Sequence, residues 1–207
     1  MRSVSVLASA VAALVGAAPA MSADMAFRGY RAVIAATPGG SPAPETLASF
    51  RCQIDIVEAV SLPAQTTAFF RTVPLELSSD TVNGRYRTGA GVQLSPRQLS
   101  DKTPVLLHEY LHAFHFERMS PARKEELRGY LASARTAGVF PAGSYMLTNP
   151  TEFFAMTASA YLYGAIRREP FSREALRSAM PAYYGWLGET LEVPEVSLAS
   201  PVGRGCG

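Results

Sequence analysis

The segment Val105-Leu106-Leu107-His108-Glu109-Tyr110-Leu111-His112 sets two histidines four positions apart, with a glutamate directly after the first. On a helix, positions i and i+4 share one face about 6 Å apart, so both imidazoles reach a single cation. Zinc suits two imidazoles and one carboxylate, with a fourth position open. An ion so held polarises a carbonyl and activates water, and Glu109 is placed to take the proton released. All three histidines of the chain, His108, His112 and His115, fall within eight positions. Dispersed packing histidines would not cluster in that way. The five-residue pattern also occurs by chance in helices that bind nothing, so a third ligand has to be sought elsewhere.

His115 follows His112 without an intervening glycine and continues along the same helix, about 10 Å above His108 by helical rise. That is awkward for joint ligation, and a packing or supporting role suits it better. A carboxylate from another helix is the alternative. Glu152 stands in Asn149-Pro150-Thr151-Glu152-Phe153-Phe154-Ala155, at the start of an amphipathic run, 40 residues after His112. The same Glu152 lies three residues after Asn149, which is a capping-box pattern, so local sequence leaves both ligand and cap open. Its apolar surroundings favour the ligand. A site of this kind also needs a donor aimed at a developing oxyanion. No histidine is left over for that, and Tyr145, in the polar loop Ala142-Gly143-Ser144-Tyr145, is the candidate among nine tyrosines. Tyr161, Tyr163, Tyr183 and Tyr184 read as helix-packing residues, and Asn149 and Thr151 as caps or supporting groups.

With H-E-Y-L-H at 108–112, and Tyr145 seven residues before the Glu152 that opens E-F-F-A, the chain resembles the gluzincin metallopeptidases. Within them it resembles the catalytic domain of anthrax toxin lethal factor and related exported bacterial zinc peptidases. The resemblance spans roughly residues 50–190 in order and motif, and is specific around 105–118 and 145–156. It implies a zincin-like domain in which His108, His112 and Glu152 bind one zinc ion. It also implies Glu109 as general base and Tyr145 as the hydroxyl that steadies the tetrahedral intermediate.

The elements that must carry these residues are punctuated by one repeated device, a capping residue followed by proline at the first helical position. Thr103-Pro104 opens a helix to about Arg118, Ser120-Pro121 another to near Gly138, and Asn149-Pro150 a third to about Arg167. Ser172 caps a fourth and Pro181 starts the last. Upstream, residues 45–60 keep helical spacing and Pro63 restarts a short helix through Phe70. Alternation over 73–94, with the turn signal Asn83-Gly84, predicts a small antiparallel sheet. The fold class is therefore α+β, a single, mostly helical domain over 45–207. Residues 24–44, rich in Ala, Pro and Gly, read as a flexible N-terminal segment.

Residues 1–23 carry one charge, Arg2, then a soft apolar run and small residues near positions 20–23. That is the pattern of a cleaved export signal, too short and too alanine-rich for a membrane span. Export makes the two cysteines, Cys52 and Cys206, candidates for a disulfide that would pin the C-terminal tail to the front of the domain. With Lys+Arg 19 against Asp+Glu 17 and no basic block, a nucleic-acid partner is not expected. The leading expectation is an exported zinc peptidase acting on a peptide or protein, with no membrane association after signal cleavage. A zinc-binding module without catalysis, holding a partner in the same groove, is the second. An exported helical scaffold without metal is the third. Substrate and oligomeric state are not legible in the sequence.

Overall fold

The computed structural model describes residues 23–35, 42–78, 83–95, 99 and 103–198. They form a mixed α+β fold with a five-stranded sheet, in the order β1-β2-β3-β5-β4, and seven α-helices. The strands are β1 (Ala23–Phe27), β2 (Tyr30–Ile34), β3 (Leu75–Leu77), β4 (Gly84–Arg87) and β5 (Gly91–Leu94). The helices are α1 (Pro44–Ala59), α2 (Ala64–Thr72), α3 (Val105–Glu117), α4 (Pro121–Ala137), α5 (Pro150–Tyr163), α6 (Arg173–Ala179) and α7 (Pro181–Leu191).

Two expectations are corrected at the front of the domain. Residues 24–34 are not linker: β1 and β2 form a hairpin that extends the sheet, so this segment belongs to the folded unit. Its two-residue turn, Arg28-Gly29, takes positive φ at both positions (48° and 83°), the geometry that matches strand twist. Along β2, Tyr30, Ala32 and Ile34 are buried while Arg31 and Val33 face out, the period-2 pattern of a half-buried strand. The sheet is also mixed rather than antiparallel. β3 runs parallel to both β2 and β5, and only the β1–β2 and β4–β5 pairs are antiparallel. Parallel neighbours need a crossover, which α1 and α2 supply between β2 and β3. Asn83-Gly84 stands where the chain, having reversed direction after β3, enters β4 at Gly84, and the β4–β5 hairpin itself turns at Thr88–Ala90.

The second half follows its punctuation closely. Ser120, Asn149 and Ser172 each accept the backbone N–H three residues on, capping α4, α5 and α6. Gly138 ends α4 in the left-handed conformation. Helix α5 stops at Tyr163 rather than near Arg167, and residues 164–172 close a loop through the Ala165–Ser172 bridge. The core lies between the sheet and α3, and between α3 and α5. Tyr110 of α3 stacks on Tyr30 of β2 (5.9 Å between ring centres) and on Phe70 of α2 (5.0 Å). Phe114 of α3 stacks on Phe154 of α5 at 6.1 Å. Cys52 is buried on α1 and is not a free thiol. Cys206, residues 1–22 of the expected export signal and the Pro38–Ser41 stretch all lie outside the described residues. Among the described residues no helix is long and apolar enough to cross a membrane.

Candidate metal centre

The HExxH helix is started by a side chain from another helix. Pro104, not Thr103, occupies the cap position, and neither supplies a side-chain cap. The fully buried Gln53 of α1 does that work: its amide nitrogen donates to Thr103 O (3.0 Å), and its amide oxygen accepts the Leu106 N–H (3.1 Å). One of the orphan donors of the first turn is thereby satisfied two residues before His108. Leu106, Leu107, Tyr110 and Leu111 are fully buried, so the helix that carries the imidazoles is seated in the core.

Helix α5 faces it. The Asn149 side-chain oxygen accepts from the Glu152 N–H (2.9 Å) and from the Thr151 hydroxyl (2.6 Å), with Pro150 in the first turn. Asn149 is thus the cap, while the Glu152 carboxylate faces α3. Glu152 Oε2 lies 3.3 Å from His108 Nε2, and Oε1 lies 3.5 Å from His112 Nε2. The two Nε2 atoms are 3.1 Å apart, on rings set edge to face at 88°. His108, His112 and Glu152 therefore form a group that can hold a metal ion, with all ligand atoms within 4.8 Å of one another.

The donor chemistry fits an ion. Glu152 Oε2 is buried with no hydrogen-bond partner, a state that costs on the order of 1–3 kcal/mol unless something else satisfies it. Burial would raise the Glu152 carboxyl. The His108 and His112 imidazoles close beside it outweigh that and hold the group well below the usual carboxylate range. The second acid behaves oppositely. Glu109 is 6% exposed, and burial raises its carboxyl, with the neighbouring Glu152 charge adding to the rise. The two imidazoles and the Tyr86 N–H of β4, which its carboxylate accepts, oppose that. Two carboxylates beside the same histidines, one on α3 and one on α5, are thus pushed apart, one kept ionised and one made more basic.

Tyr145 begins a short 3-10 turn, Tyr145–Leu147. Arg135 of α4 anchors that turn by donating Nε–H to Leu147 O and Nη2–H to Thr148 O, both at 3.0 Å. The Thr148 hydroxyl donates back to Tyr145 O at 2.8 Å. Burial and the Glu152 carboxylate push the Tyr145 hydroxyl up to about 12, so it stays a proton donor at neutral pH. The Arg168 guanidinium lies over its ring, 5.2 Å from the centre.

Comparison with family models, with curated proteins and with solved structures returned no match.

His108, Glu109, His112, Tyr145 and Glu152 line one cleft of about 530 Å³, with β4 along one side and Phe116 at its edge. His115 is outside the metal-capable group. It is buried against Phe116 and Phe154, its Nδ1 without a partner, and burial with the charges of Lys124, His112 and Arg128 lowers it to about 4. Besides Gln53, sequence reasoning missed Gly84 and Arg168. A Cβ at Gly84 would lie 2.7 Å from Val105 Cγ1 and 2.8 Å from Glu109 Oε1, so the glycine is what lets β4 reach the Glu109 carboxylate. The Asn-Gly signal was visible, but it pointed to a turn. Arg168 was unremarkable in sequence, and only the closed loop after α5 brings it over Tyr145.

Proposed function

We propose that this chain is an exported, zinc-dependent metallopeptidase with a zincin-like fold of the gluzincin kind. The observation that carries the reading is metric. A tetrahedral ion with arms of about 2.0–2.1 Å needs donors about 3.3–3.4 Å apart. Here the two imidazole nitrogens are 3.1 Å apart and Glu152 brings Oε2 to 3.3 Å from His108 and Oε1 to 3.5 Å from His112, and with one oxygen taken as the ligand the three donors lie within 4.8 Å of one another, close enough to close on one ion. Bound there, zinc would supply Lewis acidity that polarises a carbonyl and lowers the pKa of water.

The chain's own residues supply the rest. His108 and His112 bind as neutral imidazoles and Glu152 as a carboxylate, which its depressed pKa favours. Glu109, held at the cleft by the Tyr86 N–H and made more basic by burial, takes a proton from the attacking water and returns it to the leaving amine. Tyr145, a neutral donor lining the same cleft, steadies the oxyanion. Strand β4 is an edge of the sheet and borders the cleft, which suits an extended peptide laid alongside it. The substrate class is accordingly a peptide or protein.

The test is Glu109→Gln. This protein is expected to keep its zinc and lose nearly all hydrolysis of a broad peptide library. Undiminished cleavage would refute the mechanism. Zinc bound by the wild type with no turnover of any library member would favour a catalytically silent zinc module instead.

A further inference from the structure

A second cavity, about 450 Å³, opens on the His108 side of the cleft and shares His108, Glu109 and Tyr145 with it. Its apolar lining comes from Leu99, Val105, Met156 and Ile166, drawn from four separate parts of the chain. Its solvent side carries two exposed arginines, Arg167 and Arg168. Among the described residues the only carboxylate lining it is Glu109, which is buried. A cavity of this lining accepts an apolar side chain and sets a positive charge beside it.

Arg168 is held there rather than free to roam. The loop that bears it is closed by the Ala165–Ser172 bridge, by Ile166 N–H to Phe171 O and by Phe171 N–H to Arg168 O, both 2.7 Å. The loop's far end is tied down by Arg173, whose Nε–H donates to Tyr161 O at 2.7 Å. Arg28, Arg71, Arg123, Arg128 and Arg177 each pair with a carboxylate. Among the described residues Arg168 has no such pair, and its guanidinium packs over the Tyr145 ring. Stacking of that kind fixes the plane of the fork and leaves its N–H donors available to an incoming anion.

We propose that Arg168 is a specificity residue: the cavity seats an apolar substrate side chain, and Arg168 binds a carboxylate carried beside it. This rests on the peptidase reading for the identity of the ligand as a peptide. The carboxylate has two chemical sources, an acidic side chain at the neighbouring residue or the C-terminal carboxylate of a short peptide. Both present the planar two-oxygen group that a guanidinium matches.

Binding, not turnover, is the readout. The zinc-loaded Glu109→Gln protein is titrated into three fluorescein-labelled peptides of one sequence around a central leucine. One has glutamate after the leucine and an amidated end, one has glutamine there and an amidated end, and one ends at the leucine with a free carboxylate. At least one carboxylate peptide is expected to bind about tenfold or more tighter than the glutamine amide, the size of a charge-assisted hydrogen bond. Which one does so identifies the source. Adding Arg168→Gln should level the affinities, Arg168→Lys should keep part of the preference, and Arg168→Glu should favour a lysine-bearing peptide. Equal affinity for all three peptides, no binding of any, or a preference that survives Arg168→Gln overturns the proposal. Carboxylate-dependent binding with no hydrolysis by the wild type would sink the peptidase reading and leave the role of Arg168 standing.

Discussion

Gly84→Ala adds one methyl group between β4 and α3 and separates the fold from the chemistry. The new Cβ would meet Val105 Cγ1 at 2.7 Å, Glu109 Oε1 at 2.8 Å and Glu109 Cγ at 2.9 Å. Carbon atoms in good contact sit about 3.5–4.0 Å apart, so the neighbours must give way by roughly 0.6–1.3 Å. The Glu109 carboxylate is the movable partner, and swinging it aside breaks its bond from the Tyr86 N–H. Overpacking of this kind costs about 1–3 kcal/mol, which in a domain of this size lowers Tm by roughly 2–12 °C. Displacing a catalytic group by about 1 Å costs on the order of a hundredfold in rate. The expected result is a folded protein with wild-type zinc content and kcat/KM reduced about 10²-fold. Gly129→Ala is the control, since its Cβ would meet nothing within 4 Å on α4. By helix propensity it should raise stability by a few tenths to about 1 kcal/mol and leave activity alone. Full activity in Gly84→Ala, measured beside that control, would refute the placement of Glu109 against β4.

Tyr145→Phe removes the hydroxyl but keeps the ring under Arg168. It should lower kcat about 10²–10³-fold with zinc content unchanged, and a loss smaller than threefold would remove Tyr145 from the mechanism. His115 takes a proton near 6.5 when unfolded but only near about 4 in the fold, because burial disfavours its charged form. The unfolded state therefore binds more protons between those values, and stability falls as pH drops through that window, by at most ~1.4 kcal/mol per pH unit. Urea unfolding of metal-free protein should show that slope flattened in His115→Gln, and identical slopes would contradict the burial argument.

What the sequence disclosed and what it hid differ by the range of the forces involved. His108, Glu109 and His112 sit in one helix, so their spacing alone sets their relation. The Ser-Pro and Asn-Pro starts of α4 and α5 are equally local, since Ser120 and Asn149 bond N–H groups three residues away. Glu152 was harder, because capping and ligation leave the same local trace. Only the packing of α5 on α3 sends its carboxylate to the imidazoles. The β1–β2 hairpin was missed because alanine and glycine gave the segment a linker's composition. Yet a polar Arg31 between the apolar Tyr30 and Ala32, and a glycine at position 29, were both there to read. The parallel pairings of β3 had no local signal, for they join strands separated by two helices on one side and a hairpin on the other. Gln53, Gly84 and Arg168 act entirely across elements. A buried glutamine that starts another helix, a glycine that admits a carboxylate and an arginine laid on a tyrosine ring become legible only in three dimensions.

A zinc ion shared by α3 and α5 is read directly by elemental analysis of the purified protein, dialysed against trace zinc. One zinc per chain is expected in the wild type and in Glu109→Gln, with near-complete loss in both His108→Ala and Glu152→Ala. Wild-type protein without zinc, or Glu152→Ala retaining a full equivalent, would contradict it.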